Sequence, residues 1–315
     1  MIDSFLPRFV ERVGVPPIKI QGIKTKLVPF ILANIEWNGK GRWIEPFVGS
    51  GVVAFNVAPQ SALLCDSNVH IISFYKAIQD RSITVEDIES FLQTEGAKLS
   101  VKGVDHFYAV RERFNKHKSP LDFLFLNRSC FNGVIRFNSK GGFNTPFGHK
   151  PERFSRSYMT KICNQVRWVA KQMKEKDWEF AVMPWRLALD AAKSDDFAYL
   201  DPPYIGRHTD YYNCWSETDA EDLATEAQQL KGGFALSMWL ENKYRKNEHI
   251  EKSWSGNVIR TMTHFYHVGS TEDLRNDMEE ALVIKPEYAT KTPVELNDRD
   301  LSQAEETITL FSEMA

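Results

Sequence analysis

The sequence predicts an α/β fold, an open sheet interrupted by one mostly helical insert, on three observations. Short apolar runs of strand composition end at chemically distinctive junctions, at Glu45 to Gly51, at Asp66 and at Asp201 to Tyr204. The carboxyl ends of strands are where open α/β sheets bind ligands. Between the second and third junctions, from residue 70 to about 168, the pattern changes to helices with polar joints. At 315 residues the chain is long enough to bury a sizeable core.

In chain order, residues 22–35 read as a helix ahead of a strand at Trp43-Ile44-Glu45. Pro46-Phe47-Val48-Gly49-Ser50-Gly51 follows, and Val52 to Phe55 opens a helix. Glycines 49 and 51 lack a Cβ, so the backbone can pass close to a bound small molecule. Ala62 to Cys65 is the next strand and ends in Asp66, at the spacing where dinucleotide folds place the acid that binds ribose hydroxyls. The bland alternative is that Asp66 caps the helix that begins near His70, but the preceding loop itself predicts the spacing and favours the ribose role.

Helices follow at Ile71–Ala77, Val85–Leu92, His106–Phe114 and Ser119–Asn127, then a protruding glycine-rich hairpin around Lys140-Gly141-Gly142. Strands return at Trp178–Val182, Asp196–Leu200 and Phe234–Met238, and Ser216-Glu217-Thr218-Asp219 reads as a helix start with acids at its positive end. Two late strands, Ile259–Val268 and Glu280–Lys285, would close the sheet as a hairpin-like edge with Gly269–Asp277 as its loop. A solvated helix is expected over Leu301–Phe311.

Leu200-Asp201-Pro202-Pro203-Tyr204 carries the most chemistry. An exocyclic amine on a nucleobase is a poor nucleophile because its lone pair is delocalised into the ring. The Asp201 carboxylate and the Pro202 carbonyl can accept its two N–H bonds and draw the nitrogen toward a tetrahedral, lone-pair-exposed geometry, which is electrostatic preorganisation. The consecutive prolines fix φ and hold these acceptors in one direction. Tyr204 offers a ring on which an extruded base can stack.

Composition narrows the classes. No apolar run of eighteen residues occurs and the first residues lack a basic region, so a cytoplasmic location is expected. Cysteines 65, 130, 163 and 214 show no metal-ligand spacing, and none follows a proline as the nucleophile for cytosine carbon-5 methylation would; no metal is expected. The net charge of −3 averages two opposed stretches. Residues 128–167 hold eight Lys or Arg against the single acid Glu152, and residues 287–315 hold seven acids against two bases. The basic stretch is a candidate nucleic-acid surface.

Together, Glu45-Pro46-Phe47-x-Gly49-x-Gly51, Asp66-x-Asn68 and Asp201-Pro202-Pro203-Tyr204, in that order, resemble the Dam-like or D12 class DNA adenine N6-methyltransferases of the α group. Lys19-Ile20-Gln21-Gly22-Ile23-Lys24 is similar to the family's Lys-Trp-x-Gly-Gly-Lys segment, and Leu126 to Gly148 resembles its DNA-reading hairpin. The resemblance spans residues 19–204 and weakens toward 286. It implies a Rossmann-like S-adenosylmethionine-dependent methyltransferase sheet with an inserted, mostly helical DNA-recognition domain carrying a β-hairpin. The implied organisation is 1–69 catalytic with the cofactor site, 70–168 target recognition, 169–286 catalytic with the Asp-Pro-Pro-Tyr motif, and 287–315 an acidic tail.

The resemblance also implies roles. The cofactor would lie against Glu45, Pro46, Phe47, Gly49 and Gly51, with Asp66 on its ribose, Trp185 against its adenine, and Ile20, Lys24 and Asp201 near its methionine end. In the hairpin, Arg136 would read a guanine, Phe131 would wedge into the duplex, and Arg128, Asn132 and Asn138 would hold phosphates or base edges. Val134 and Pro146 would touch a thymine methyl, and Lys19 a base beside the target. Lys150 stands where relatives carry an aromatic, so the target is GATC or a related guanine-containing site. Two positions depart from the pattern: Ile20 replaces the tryptophan, and Pro184-Trp185 keeps the aromatic of an Asp-Phe pair but loses its acid.

The expected activity is therefore site-specific adenine N6 methylation of double-stranded DNA by base flipping, in a monomer, with a restriction endonuclease that acts on the same site as a candidate companion. The alternatives are cytosine N4 methylation and a catalytically weak DNA-binding homologue.

Overall fold

The computed structural model describes residues 5–203, 215–242, 245–265 and 277–294. The fold begins with α1 (Val28–Asn34), β1 (Trp43–Glu45), α2 (Val52–Val57), β2 (Ser61–Asp66) and α3 (Val69–Gln79). Four longer helices follow, α4 (Val85–Lys102), α5 (Val104–His117), α6 (Pro120–Ser129) and α7 (Arg156–Met173). The chain then returns through β3 (Asp177–Val182), α8 (Trp185–Asp190), β4 (Phe197–Leu200), α9 (Glu217–Gln229), β5 (Gly233–Asn242), β6 (Arg245–Lys246), α10 (Glu248–Trp254), β7 (Val258–Phe265) and β8 (Asp277–Ile284).

All eight strands form one sheet in the order β3-β2-β1-β4-β5-β8-β7, with β6 paired to β5. The first five pair in parallel, and β8 runs antiparallel between β5 and β7. The expected late hairpin is therefore present, with its second strand inserted beside β5. Strand order reverses between β1 and β4. Chain leaving β1 turns one way and chain leaving β4 the other, which opens a crevice at their carboxyl ends.

Burial explains why the strands read as they do. The central strands β1 and β4 are buried throughout and show continuous apolar runs, as parallel strands covered on both faces must. At the edge, β3 alternates, burying Trp178 and Phe180 between exposed Asp177 and Glu179. Trp43, Leu64, Phe180, Phe197 and Tyr199 point into one core with α1, α2, α3 and the insert. Ile44, Leu63, Cys65, Ala198 and Leu200 point into a second core under α8, α9 and α10.

Most expected elements are present with shifted ends. The helix expected over residues 22–35 is confined to Val28–Asn34, near whose start Pro29 suits the first turn, while residues 21–27 are non-helical and residues 21–24 wall the crevice. The helix expected to stop at Leu92 continues to Lys102 through Gly96, where a Cβ would come within 2.7 Å of the Phe154 Cβ. A glycine reads as a breaker in sequence, but here it admits a neighbouring side chain. Helix α7 was not singled out as an element, although Ile162, Cys163, Val166, Val169 and Met173 form its buried stripe.

The capping boxes Thr84/Asp87 and Ser216/Asp219 start α4 and α9, as the Ser216-to-Asp219 pattern predicts. The expected boundary at residues 69 and 70 falls in the first turn of α3, and that at 168 and 169 falls inside α7.

Within the insert, the hairpin is a loop held by two isolated antiparallel bridges, Cys130 with Phe147 and Phe137 with Phe143, not a continuous ladder. Beneath it, Arg113 of α5 bonds Asp122 of α6 through Nε at 3.0 and 3.2 Å and Glu95 of α4 through Nη2 at 3.0 Å. Both acids are buried, so this guanidinium ties three helices together.

The expected helix at Leu301–Phe311, most of the Gly269–Asp277 loop, Cys214 and Tyr204 lie outside the described residues.

Candidate functional site

The crevice at the β1/β4 reversal holds a cavity of about 580 Å3. Its walls include residues 20–24, the β1-to-α2 loop from Glu45 to Ser50, Asp66 to Asn68 after β2, Val182 to Trp185 after β3, the end of β4 from Asp201 to Pro203, and Val134, Ile135 and Phe137 of the hairpin segment.

The glycine loop is held by short local contacts. Val48 N–H donates to Cys65 O at 2.7 Å and Gly51 N–H to Val48 O at 2.6 Å. Tyr75 OH donates to Ser50 O at 2.6 Å from α3. Gly49 at φ 51° and Gly51 at φ 72° lie in the left-handed region, where a side chain costs about 1–2 kcal/mol. A Cβ on residue 51 would also come within 2.7 Å of the Phe55 ring. Gly51→Ala is expected to lower unfolding free energy by about 2–3 kcal/mol and to distort this wall of the cavity; chemical denaturation measures the first effect and calorimetric titration with S-adenosylmethionine the second.

Asp66 accepts Gly49 N–H at 3.0 Å on one oxygen and Asn68 N–H at 2.8 Å on the other. Asn68, not Asp66, caps α3, through His70 N–H. Asp66 lines the cavity and each of its oxygens keeps a further lone pair for a ligand hydroxyl.

Asp201 sits at the end of β4, and its Oδ1 lies 3.0 Å from the Lys24 ammonium. Lys24 is 3% exposed and the Asp201 side chain 26%. Burial raises the Asp201 carboxyl above the ordinary range, while Lys24 opposes that rise. Glu45 is buried beside them and accepts Trp43 Nε1–H at 2.8 Å. Burial first, and then the Asp201 charge, push the Glu45 carboxyl up to about 8, so it is mostly neutral at pH 7.

Phe47, Trp185 and Trp215, which also line the cavity, form an aromatic cluster with centroids 5.5 to 6.5 Å apart. Sequence reasoning named Phe47 and Trp185 and missed Trp215, which precedes α9. It also missed Asp219, which lines the same cavity. Asp219, in the first turn of α9, thus places an acid in the cavity although position 184 holds a proline, and its only sequence signal is the capping box that it completes. Ile20 lines the cavity without an aromatic beside it in its own segment, so the aromatic wall comes from the cluster.

The expected DNA-facing residues divide. Phe131 is 50% exposed, and Asn132, Pro146 and Lys150 are exposed. Arg136 Nε donates to Asn144 Oδ1 at 2.9 Å from the hairpin arm. Val134 lines the cavity.

Three residues depart from a simple surface role. Arg128 is buried, donates Nη1–H to Pro17 O at 3.1 Å and stacks over Tyr158, so it braces the N-terminal segment against α6 and α7. Asn138 Oδ1 accepts the N–H groups of Lys140 and Gly142, so this oxygen closes the hairpin turn. Lys19 is half-buried and clamped by Asn127, which exchanges two 2.8 Å bonds with its backbone. Burial, then Arg128, Arg153 and Lys161, hold the Lys19 ammonium down at about 8.

A family model described as D12 class N6 adenine-specific DNA methyltransferase matches residues 21–273. The chain is 33% identical over 198 residues to a DNA adenine methylase of Serratia marcescens, covering 59% of this chain and 68% of that protein. It is 31% identical over 209 residues to the type II methyltransferase M.MjaIII of Methanocaldococcus jannaschii, covering 60% of this chain and 68% of that protein. Its likeness to the modification methylase StsI of Streptococcus sanguinis covers 88% of this chain at 28% identity, but 43% of that protein.

Proposed function

Since the chain belongs to the D12 class of N6 adenine-specific DNA methyltransferases, we propose that the β1/β4 crevice holds S-adenosylmethionine and a flipped adenine together. The activity is site-specific methylation of adenine N6 in DNA. One observation carries the assignment of the crevice: the glycine loop, the Asp201 carboxylate and the hairpin segment at Val134 to Phe137 all open into the same cavity. Its volume suits a ligand of cofactor size.

The residues fit the cofactor. The backbone of Glu45 to Gly51 forms a wall without intruding Cβ atoms at 49 and 51, and Asp66 has lone pairs for ribose hydroxyls. Phe47, Trp185 and Trp215 supply apolar faces for an adenine. Trp215 Nε1 is a buried donor without a partner among the described residues, and Asp219 can accept from the adenine amine. Asp219→Asn keeps an acceptor for the α9 cap but removes the charge, and should weaken S-adenosylmethionine binding about tenfold by calorimetry.

When bound, the cofactor supplies the methyl group. The chain supplies position and charge: Asp201 accepts an N–H of the adenine amine, the Pro202 carbonyl accepts the other, and Lys24 keeps Asp201 ionised despite its burial. Tyr204 is the stacking partner for the extruded base. Since Asp201 must be ionised and its pKa is raised, the rate should fall as pH drops through that raised value.

Recognition falls to the hairpin. Arg136 reads a guanine, Phe131 enters the duplex at the flipped position, Asn132, Pro146 and Lys150 contact the groove or backbone, and Val134 borders the target base. Lys19, next in the chain to the cavity-lining Ile20, approaches the DNA beside the target base. Its charge is lost as pH rises through about 8, so affinity for a target duplex should fall roughly tenfold between pH 7 and 9 by fluorescence anisotropy. Lys19→Met should flatten that dependence.

The chain acts as a monomer on duplex DNA, with residues 70–168 as its recognition insert. The relatives named as type II and modification methylases support a companion endonuclease of the same specificity.

The deciding experiment is transfer from labelled S-adenosylmethionine to methylation-free duplex DNA, with modified positions mapped by sequencing. Methylated adenine within one short motif is the expected result. Modified cytosine, or no transfer by folded protein, would overturn it.

A further inference from the structure

We propose that Ser237, itself held by Tyr199, is a positioning residue that commits one oxygen of Asp201 to the protein and leaves the other for the target amine. The proposal rests on Asp201 acting in adenine methylation and adds the device that orients it.

The fold brings these residues together across two parallel strands. Tyr199 of β4 is in register with Ala235 of β5, and Leu200 with Leu236. One step further, Ser237 stands beside Asp201. Tyr199 and Ser237 are 2% and 1% exposed. Their oxygens lie 2.7 Å apart, and Ser237 Oγ lies 3.3 Å from Asp201 Oδ1.

Chemistry sets the direction of this chain. An ionised carboxylate only accepts, so the single Ser237 proton must go to Asp201. Ser237 then has none left for Tyr199, so the phenol must donate to Ser237. Tyr199 cannot readily swing away, because its ring stacks on Trp43 with centroids 6.0 Å apart and planes inclined by 15°. The phenol therefore holds the serine hydroxyl in its donating orientation.

Lys24 approaches the same oxygen, Oδ1, from the N-terminal segment. Two donors on one oxygen fix the rotation of the carboxylate. Oδ2 accepts from no described residue, and Asp201 lines the cavity. The free oxygen is the one available to an amine N–H.

Every element packed around Asp201 bears on its charge. Lys24 and the Ser237 hydroxyl favour the ionised form, while burial and Glu280 of β8 disfavour it. Neighbouring Glu45 of β1 also senses the Asp201 charge. Removing the serine hydroxyl should leave Asp201 harder to ionise.

The test compares Ser237→Ala, Tyr199→Phe and the hydroxyl-retaining Ser237→Thr with wild type in the full chain. Ser237→Ala should lower kcat about tenfold, with KM for DNA and S-adenosylmethionine affinity unchanged. Its acid limb in the pH–rate profile should move up by about one unit. Tyr199→Phe should move both in the same direction by less, and Ser237→Thr should restore them.

A folded Ser237→Ala protein with wild-type kcat and acid limb, or a loss confined to KM, overturns the proposal. An independent readout is the Asp201 carboxyl titration followed by carbon-13 NMR. Its midpoint should be higher in Ser237→Ala than in wild type, and equal midpoints overturn the proposal. Wild type that transfers no methyl would instead count against the adenine-methylation reading, and the carboxyl titration would still decide the relay.

Discussion

Asp201→Ala is expected to cut methyl transfer by at least about a thousandfold while the protein still binds duplex DNA. Removing an acceptor aimed at the developing charge costs this much in preorganised sites, and the Pro202 carbonyl alone cannot replace it. The substitution also removes the carboxylate that pairs at 3.0 Å with Lys24, which is 3% exposed. Removing one partner of a buried ion pair is destabilising, although Lys24 keeps the Gly22 carbonyl 3.3 Å from its ammonium. A stability loss of about 2 kcal/mol is therefore expected. Asp201→Asn, which keeps the side-chain volume, separates the two effects: transfer should remain at least about a hundredfold down with a smaller loss of stability. Single-turnover transfer to a target duplex, together with chemical denaturation, reads both. A near-normal rate in Asp201→Asn would remove Asp201 from the reaction.

Arg113→Met should produce the largest structural loss in the insert without touching the cavity. Glu95 and Asp122 are 3% and 2% exposed, and both bond to the Arg113 side chain, leaving two buried carboxylates exposed to the loss of one guanidinium. Breaking a buried pair by removing one partner costs about 3–5 kcal/mol. Because the Arg113 side chain is 41% exposed, solvent screening reduces that to about 2–3 kcal/mol. Lys98 still pairs Glu95 at 2.6 Å, so Asp122 bears most of the effect. The pKa shifts give the pH sense. Glu95 has its carboxyl held below the ordinary range, where its cationic neighbours outweigh burial, so its contribution is present above the unfolded-state pKa and is lost as pH falls through the lowered one. Thermal unfolding of wild type should therefore soften in acid more than that of Arg113→Met. DNA binding should fail at a lower temperature in the variant, while S-adenosylmethionine binding persists.

The local chemistry of the site was legible because it is carried by contiguous residues. Glu45 to Gly51 must be a tight approach wherever it folds, since only glycine takes φ 51° and 72° without strain. Asp201-Pro202-Pro203 must present acceptors because proline has neither an N–H nor freedom in φ. Strands β1 and β4 were legible because burial on both faces leaves no polar position to interrupt them.

Residues that act through partners distant in the chain were not legible. Sequence reasoning gave Arg128 phosphates or base edges to hold, but burial under the N-terminal segment turns its guanidinium to Pro17 O. Gly96 hid the second half of α4, because the helix tolerates it only where Phe154 packs.

By itself, then, the sequence determined the α/β class, the order of the motifs and the chemical identity of the acid and the glycine loop, because these depend on backbone freedom and side-chain type over a few adjacent residues. Only the tertiary structure decided that Lys24 and Ser237 converge on one oxygen of Asp201, that Trp215 and Asp219 join the cavity, and that Asn127 clamps Lys19. Those contacts join residues from different strands, helices and turns, and a burial or hydrogen-bond partner set by long-range packing leaves no periodic trace in the chain.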